Sequence, residues 1–475
     1  MNADLIIALP EITLFALACL VLVVDAYSKD SEHSMTYWIT QATLIVTLYI
    51  VLNHFPESSV SAFNAGFISD AMSATLKAFM CGITFFVFLY SYEYLKEHQS
   101  LKGEYFVLGL FALLGMMIMA SAYNLLSVYL GLELLSLSLY AMVAMQRNSD
   151  FASEAAMKYF ILGALASGML LYGISMIYGL TGQLQLSNIA EAITNDSINR
   201  GYLVFGMIFI IIGIAFKLGA APFHMWVPDV YQGAPTSVTL FISTAPKLAA
   251  FAMAMRILVD GLLPLVTDWQ SILMLLAVLS MGVGNIIAIA QTNIKRMLAY
   301  STIAHVGFLF LGLISGTAEG FSGSMFYIIS YALMSMGAFG MIILLSRNGF
   351  EAEMLDDFKG LSERSPWFAF IMLCLMFSMA GIPPFLGFWS KWFVLKELVT
   401  AGFVTLAAVA VIFSIIGAYF YLRIVKLMYF DKAESMTAIK ASKQMRLVLS
   451  VNGLLILLLG LSPSALMSLC LSALG

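Results

Sequence analysis

Charged residues are scarce in this sequence. Asp, Glu, Lys and Arg make up 11% of its 475 residues, whereas an average soluble domain contains about 25%. Hydrophobic residues make up 61%. This composition excludes a soluble globular domain and indicates a polytopic membrane protein. The net charge of −4 is spread thinly along the chain, so we predict no nucleic-acid partner.

Cysteine is also rare, and the common cofactor motifs are missing. The four cysteines lie in apolar stretches without a CxxC pair, at Cys19, Cys81, Cys374 and Cys470. This pattern argues against disulfides, zinc and iron–sulfur clusters. No glycine-rich nucleotide loop follows a strand-like segment, which argues against an NAD or ATP site. We therefore predict no cofactor and no metal site in this chain.

Long apolar runs are what the sequence has in abundance. A spanning helix needs about 20 apolar residues, and runs of that length predict about fourteen transmembrane helices. The mixture of Phe, Leu, Ile, Met and Gly favours helices over the alternating pattern of a membrane barrel, so the predicted fold is all-α. The predicted helices lie near residues 5–25, 36–54, 71–92, 105–121, 124–146, 155–179, 202–221, 236–258, 270–290, 297–315, 322–345, 366–399, 403–430 and 445–470.

Positive charge divides the predicted loops between two sides. Lys and Arg prefer cytoplasmic loops, and one alternate set of loops carries most of them. The opposite set carries only Arg200, Arg256 and Lys396. We therefore predict a multi-pass protein of a bacterial inner membrane, with both termini on the periplasmic side of the lipid bilayer. The acidic start MNADL predicts that the first helix is retained rather than cleaved as a signal peptide.

Two lysines lie inside apolar runs, at Lys217 and Lys247. A charged lysine at a helix centre costs about 2.5–3.5 kcal/mol on insertion scales. Pro222 follows Lys217 closely and should break the seventh helix. Broken backbone at membrane depth is tolerated only inside protein or beside water. The region therefore predicts a buried, hydrated path with titratable groups, although for the residues between the lysines a simple connecting loop remains the alternative.

Glu133 is isolated in the fifth predicted helix. Ser136 and Tyr140 follow it on the same helical face, so this helix has one polar stripe that should face the interior of the protein. A nearby lysine would keep the carboxylate ionised. A Glu–Lys pair whose members each have another neighbour can exchange protons as that neighbour changes its charge. The alternative interpretation is a static buried ion pair.

His305 and Lys391 are two further titratable groups in apolar helices. Ser301 and Thr302 precede His305 by one turn and would make a polar wedge that can hold water. The alternative for His305 is a hydrogen-bonded core residue. Lys391 follows Pro383-Pro384 by two turns, so the twelfth helix should break in mid-membrane. Lys77, in the third helix, lacks polar neighbours in sequence, and we predict an interfacial anchor for it.

The two broken helices, seven and twelve, combine a lysine with a proline break and are separated by about five spanning helices. Matching broken segments are typical of inverted repeats with the functional site at their interface. We therefore predict two inverted five-helix repeats. The predicted divisions are 1–100 (helices 1–3), 101–260 (helices 4–8), 261–430 (helices 9–13) and 431–475 (helix 14).

Four stretches together resemble one known family, the antiporter-like membrane subunits of respiratory complex I. The likeness covers most of the chain and follows the family's order. Within the family, the YQGAPTSV and KYFILGALASG sequences favour one branch over its sisters. The stretches are EAAMKYFILGALASGMLLYG (154–173), PFHMWVPDVYQGAPTSV (in the region 221–238), QTNIKRMLAYSTIAHVGF (291–308) and MAGIPPFLGFWSKWFVL (379–395).

The resemblance implies proton translocation along a buried axis of titratable groups. Electron transfer in other subunits would drive it. A charge change would shift a Glu–Lys pair, and a proton would then pass by further groups and water towards the exit. The implied roles are a pair formed by Glu133 and Lys217, transfer by Lys247, His305 on the central axis, Lys391 towards the exit and His224 in the loop or input route.

The resemblance also implies the setting of the chain. It would be a non-redox subunit of a proton-pumping NADH:quinone oxidoreductase, in contact with other membrane-arm subunits. FMN, iron–sulfur clusters, NADH and quinone are expected in other subunits of that complex. Two other functions remain open. One is a subunit of a multisubunit cation/proton antiporter, and the other is a structural spacer in the membrane arm.

Overall fold

Helices dominate the computed structural model, which describes residues 3–28, 30, 32–146, 148–194, 198–347, 349–433, 439 and 441–474. Two short strands, β1 (Val60–Ala62) and β2 (Phe67–Ser69), form an antiparallel hairpin. The first helices are α1 (Ala3–Ile7), α2 (Leu9–Tyr27), α3 (Ser34–Asn53), α4 (Ala71–Glu97), α5 (Gly103–Ser121), α6 (Leu125–Val143), α7 (Asp150–Thr181), α8 (Leu186–Ile193), α9 (Arg200–Leu218), α10 (Trp226–Gly233), α11 (Thr236–Ile242) and α12 (Ala245–Ala254).

The rest of the chain continues in the same way. A π-helical segment, Met255–Gly261, extends α12, and short 3₁₀ segments lie at Leu263–Leu265 and Leu355–Phe358. The remaining helices are α13 (Val266–Ile289), α14 (Ile294–Ile314), α15 (Ala318–Leu345), α16 (Leu361–Arg364), α17 (Pro366–Ala380), α18 (Leu386–Thr400), α19 (Val404–Phe430), α20 (Lys443–Leu461) and α21 (Ser464–Leu474).

The all-α membrane fold is confirmed. In the described residues, 13 helical segments are long and apolar enough to cross a membrane. The predicted span 366–399 has no counterpart among these segments, because it consists of α17 and α18 with an interruption between them. The predicted break in the twelfth helix is therefore confirmed. The polar segment between α7 and α9 contains a short helix, α8.

The chain forms two compact units. The first contains residues up to Phe88, Leu101–Leu218 and Ala245–Leu273. In it, α5 packs against α2, α6 and α12, and α7 packs against α9. The second contains Leu89–Ser100, Gly219–Thr244 and the chain from Met274 onward. In it, α15 is buried almost throughout and packs against α14, α17, α18 and α20.

The helix breaks follow one rule. α9 ends at Leu218, four residues before Pro222, and α17 ends at Ala380, four residues before Pro384. Proline has no N–H for the carbonyl four residues earlier, and its ring clashes with that carbonyl. The helix therefore stops at that carbonyl. Glycine follows at once in both cases, with φ of +83° and +87°.

The eighth span contains a third break, which the sequence analysis missed. We predicted one helix over 236–258, but α11 ends at Ile242 and α12 begins at Ala245. Pro246 lies four residues after Ile242, so the same rule explains this break. The first span is also divided, because α1 ends at Ile7 and α2 begins at Leu9 with Pro10 in its first turn, where a missing N–H is harmless.

Gly381 provides a test of the twelfth-helix break. Its φ of +87° costs any other L-residue roughly 1–2 kcal/mol. A Cβ there would also lie 2.9 Å from Cδ of Lys391. We therefore expect Gly381→Ala to lower the thermal denaturation midpoint of the purified protein and its amount in the membrane.

Gly402→Ala is the matched control, because Gly402 has φ +91° with no atom within 4 Å of an added Cβ. It carries the backbone strain without the crowding at Lys391, so its effect should be smaller. Equal effects of the two substitutions would show that crowding at Lys391 contributes nothing.

Candidate functional site

Lys217 is buried at the last turn of α9, next to the polar face of α6. Its Nζ donates a hydrogen bond to Oγ of Ser136 at 2.7 Å. Ser136 Oγ in turn donates to the carbonyl of Leu132 at 2.6 Å. Lys217 thus extends from the end of α9, where the predicted seventh span breaks, to the polar stripe of α6, which is the predicted fifth span. Both helices belong to the first unit.

Glu133 lies one turn before Ser136 on α6. The ammonium of Lys217 bonds Ser136 rather than Glu133, and Oε1 of Glu133 is buried without a hydrogen-bond partner in the described part of the chain. The predicted polar stripe is therefore present. Its third member, Tyr140, lies against Gly163 of α7, where an added Cβ would come within 1.8 Å of the phenol oxygen.

Lys247 is buried near the start of α12, in the same unit. Its Nζ donates to the carbonyl of Leu218 at 2.8 Å. That carbonyl ends α9 and is the one that proline at position 222 leaves without a helical N–H donor. A cation is also favourable at a helix C-terminus. Lys247 therefore stabilises the end of the helix that carries Lys217.

His305 is the centre of a hydroxyl cluster in the second unit. Its Nδ1 lies 2.6 Å from the hydroxyl of Tyr327 on α15, and its Nε2 lies 3.0 Å from the hydroxyl of Tyr421 on α19. Tyr421 also bonds Ser301 on α14. A neutral imidazole has one donor and one acceptor nitrogen, and a phenol can donate or accept. The cluster can therefore exist with either imidazole tautomer. Sequence reasoning missed both tyrosines.

Lys391 lies in α18, just after the break of the twelfth helix. Its Nζ donates to the carbonyl of Ala380 at 2.8 Å and to Ser414 Oγ at 2.9 Å. Ala380 is the residue whose carbonyl Pro384 leaves without a helical donor. The ammonium also lies 5.2 Å from the ring centre of Phe308, one turn after His305 on α14. The second unit thus repeats the contact between a lysine and a helix end.

His224 lies in the turn after the seventh-helix break and is half-buried. Its Nδ1 is buried without a hydrogen-bond partner among the described residues. Its backbone carbonyl accepts from Val227 at 2.9 Å and starts the turn into α10. In the part of the chain that the structure describes, no three His, Cys, Asp or Glu side chains converge as metal ligands.

The prediction for Lys77 was wrong. It is not an interfacial anchor, because its side chain is only 4% exposed and its Nζ lies 2.6 Å from Oε1 of Glu11, which is 8% exposed. The ring of Phe67 lies 4.9 Å away on another side. The signal that sequence reasoning overlooked was a lone acid and a lone base in two apolar helices of one chain.

Arg256, which we assigned to an outer loop, is buried in the π-helical segment. Its guanidinium donates to Asp70 at 2.8 Å, to Asp260 at 2.9 Å and to the carbonyl of Ala120 at 3.0 Å. Burial raises the pKa of Asp70, but the attraction of Arg256 outweighs it and holds the pKa below its usual value. This network joins the start of α4, the end of α5 and the π-helical segment.

Comparison with known proteins supports the resemblance to the antiporter-like membrane subunits of respiratory complex I, both in sequence and in fold. Residues 122–417 match the family model described as "NADH:quinone oxidoreductase/Mrp antiporter, TM". The chain is 57% identical over 473 residues to "NADH-quinone oxidoreductase subunit N" of Thioalkalivibrio sulfidiphilus (strain HL-EbGR7), covering 99% of this chain and 98% of that protein. This chain belongs to the NADH-quinone oxidoreductase subunit N family.

Solved structures agree with the family. A chain of respiratory complex I from Thermus thermophilus is 29% identical with a TM-score of 0.83, and the match covers 98% of this chain and 100% of that one. A chain of the Mrp complex from Dietzia sp. DQ12-45-1b shares the fold, with a TM-score of 0.88 at 20% identity and coverage of 100% and 97%. The branch favoured by YQGAPTSV and KYFILGALASG is therefore the subunit N family.

Residues 122–417, which match the family model, contain all six predicted site residues but not Glu11 or Lys77. Glu11 and Lys77 form the buried ion pair described above. Removing one member of a buried ion pair typically costs about 3–5 kcal/mol, because the other charge stays buried. We therefore expect Lys77→Met to lower the amount and the thermal midpoint of the membrane-inserted protein. The double variant Glu11→Gln/Lys77→Met should regain most of the loss, because neither charge remains.

The control for this cycle is Lys158→Met on α7, because Lys158 pairs at 2.8 Å with Glu154 on an exposed surface. Exposed pairs contribute about 0–1 kcal/mol, so this variant should behave as wild type. If the double variant is as unstable as Lys77→Met alone, the pair does not explain the loss.

Proposed function

We propose that this chain is a proton-translocating membrane-arm subunit of an NADH:quinone oxidoreductase. The observation that carries this proposal is the environment of Lys217 and Lys391, two buried lysines whose amino groups donate to neutral oxygens. An uncharged amine can donate to a carbonyl or hydroxyl just as an ammonium can. Each lysine can therefore change its protonation state without losing its partner.

Glu133 and Ser136 offer Lys217 two alternative positions on α6. In the structure Lys217 bonds the hydroxyl of Ser136. A shift by one turn along α6 would bring its ammonium to the carboxylate of Glu133, and a nearby carboxylate favours the charged form of lysine. We propose that a charge change next to this site moves Lys217 between the two partners. Lys217 then binds a proton beside Glu133 and releases it beside Ser136.

In this mechanism Lys247 acts after Lys217, and both lie in the first compact unit. It bonds the carbonyl of the residue that follows Lys217, so a change in the last turn of α9 reaches it directly. In the second unit we propose that His305 passes protons through the hydroxyls of Tyr327 and Tyr421. Lys391 then carries them towards the exit. His224 serves the input side of the seventh-helix break.

The redox chemistry of the complex lies elsewhere in this proposal. The relatives are named for NADH and quinone, and we expect FMN, iron–sulfur clusters and both substrates to be bound by other subunits. This chain would contact other membrane-arm subunits and the lipid bilayer. We place it in a bacterial inner membrane with both termini on the periplasmic side. We also propose that the predicted spanning helices 4–8 (101–260) and 9–13 (261–430) are inverted repeats. The contacts of Lys247 and Lys391 with the helix ends before Pro222 and Pro384 support this view.

A second function has support from the comparisons. The family model also covers Mrp antiporters, so a cation/proton antiporter subunit would fit the same buried lysines. Purification of the tagged chain under mild conditions discriminates between the two. Flavin and iron–sulfur subunits in the purified complex, with NADH-driven pumping, support the oxidoreductase. Only membrane subunits, with sodium–proton exchange that needs no NADH, support the antiporter.

Two substitutions test the proposed mechanism in the assembled complex. We expect Lys217→Ala and Glu133→Gln to reduce NADH-driven proton pumping in liposomes by about 10²-fold or more, the lower limit for a positioned proton-transfer group. NADH:quinone turnover should fall with it, because pumping and electron transfer are coupled. The amount of assembled complex should stay unchanged, since both residues face a polar stripe rather than apolar packing.

Lys158→Ala and Glu154→Gln are the matched controls, because they form a Glu–Lys pair on the exposed surface of α7. Both should pump as wild type. Normal pumping by an assembled Lys217→Ala complex contradicts the proposal. Normal pumping after substitution of each buried site residue in turn would instead favour a structural spacer.

A further inference from the structure

A second group of titratable side chains lies apart from the residues used above. It consists of Tyr94 near the end of α4, His98 just after that helix, and Glu351 in the stretch after α15. Thr236, the first residue of α11, completes it. All four belong to the second unit. They lie at or just beyond the ends of three segments able to span the membrane.

Two hydroxyl groups hold the carboxylate of Glu351. The hydroxyl of Tyr94 donates to Oε1, and Thr236 Oγ1 donates to Oε2 at 3.1 Å. The backbone N–H of Thr236 donates to the oxygen of Tyr94 at 3.3 Å, which leaves the phenol proton directed at the carboxylate. Glu351 is therefore an acceptor in this arrangement.

The hydrogen bonds of His98 determine where its protons lie. Its Nδ1 is 2.9 Å from the carbonyl oxygen of Tyr94, and a carbonyl can only accept, so Nδ1 carries a hydrogen. Its Nε2 lies 3.4 Å from Oε1 of Glu351 and makes no hydrogen bond to any residue that the structure describes. In a neutral ring the lone pair of Nε2 would face the carboxylate and repel it. One additional proton between Nε2 and Oε1 converts this repulsion into an ion pair.

This proton site is accessible to water from one side. The side chain of Glu351 is 30% exposed, whereas that of His98 is 9% exposed. The ring of Tyr94 packs on His98 with 4.3 Å between ring centres. A partly exposed carboxylate beside a buried imidazole is suited to take a proton from solvent and hold it. The side of the membrane is the one that the Lys- and Arg-rich loops predict to be cytoplasmic.

We propose that His98 and Glu351 form a proton-uptake site at the cytoplasmic end of the second unit, which supplies the translocation described above. The inference rests on that proposed function. On uptake, a hydronium ion protonates Oε1 of Glu351 and leaves as water. The proton then moves to His98: the Oε1–H bond breaks, the Nε2–H bond forms, and the resulting imidazolium pairs with the carboxylate. The net change is one proton gained from solvent, so atoms and charge balance.

Two charged groups next to this site form ion pairs of their own. Glu97, next to His98, lies 3.9 Å from Arg347. Glu353, two residues after Glu351, lies 2.7 Å from Lys295. Carboxylates, lysines and arginines ordinarily keep their charge between pH 5 and 8, whereas histidine changes it there. A proton-dependent step in this range can therefore be assigned to His98 by substitution.

The test is the pH profile of NADH-driven proton pumping by the assembled complex in liposomes, measured from about pH 5.5 to 8.5 on the uptake side. The wild-type rate should fall with rising pH through a one-proton step. His98→Gln should remove that step. Glu351→Gln should keep it but move its midpoint towards acid, because a carboxylate next to an imidazole favours the charged ring.

Glu363→Gln is the control, because Glu363 is an exposed acid of the same loop. It should keep the wild-type profile. Wild-type profiles for both His98→Gln and Glu351→Gln overturn the inference, and so does an equal loss of rate at every pH, which indicates a structural role. If His98→Gln fails to assemble, the midpoint of the Glu351→Gln complex decides.

Normal pumping by Lys217→Ala refutes the proposed function, whereas inactive Lys217→Ala with an unchanged His98→Gln profile refutes only the uptake site.

Discussion

A buried lysine needs oxygen acceptors, and within an intact helix each carbonyl already accepts from an N–H group of the same helix. Proline solves this problem. The carbonyls of Leu218 and Ala380 lie four residues before Pro222 and Pro384, and each accepts instead from a lysine, Lys247 or Lys391. Break and lysine therefore depend on each other. Without the lysine the helix end would expose a carbonyl in an apolar interior, and without the break each ammonium would lose that carbonyl as an acceptor.

This dependence links the fold to the proposed function. Interruptions of the spanning helices place polar backbone next to titratable side chains, while α14 and α15 remain continuous and buried. Glycine provides the space that such contacts require. Gly381 brings the backbone against the side chain of Lys391, and Gly163 accommodates the phenol of Tyr140. In the proposed mechanism the apolar helices form the frame, and protonation changes are confined to a few side chains with exchangeable partners.

Local rules predicted much of this arrangement, and their failures have physical causes. Pro222 and Pro383-Pro384 indicated two of the breaks, because the effect of proline on a helix is local. Pro246 acts in the same way, but the apolar composition around it suggested a continuous helix. Lys77 was misassigned because its partner, Glu11, lies 66 positions earlier in the sequence. Tyr327 and Tyr421 gave no signal, since tyrosine in an apolar helix has the pattern of ordinary core packing.

By itself, the sequence determined the membrane class, the spans, the sites of the main breaks and the isolated charges that had to be buried. These features follow from hydrophobicity and backbone chemistry, which act over a few residues. Only the tertiary structure decided the partners. It joined Lys217 to Ser136 rather than Glu133, surrounded His305 with tyrosines from two other helices, and brought His98 to Glu351. Such pairings depend on which helix faces pack together, and an almost uniformly apolar sequence contains little information about that choice.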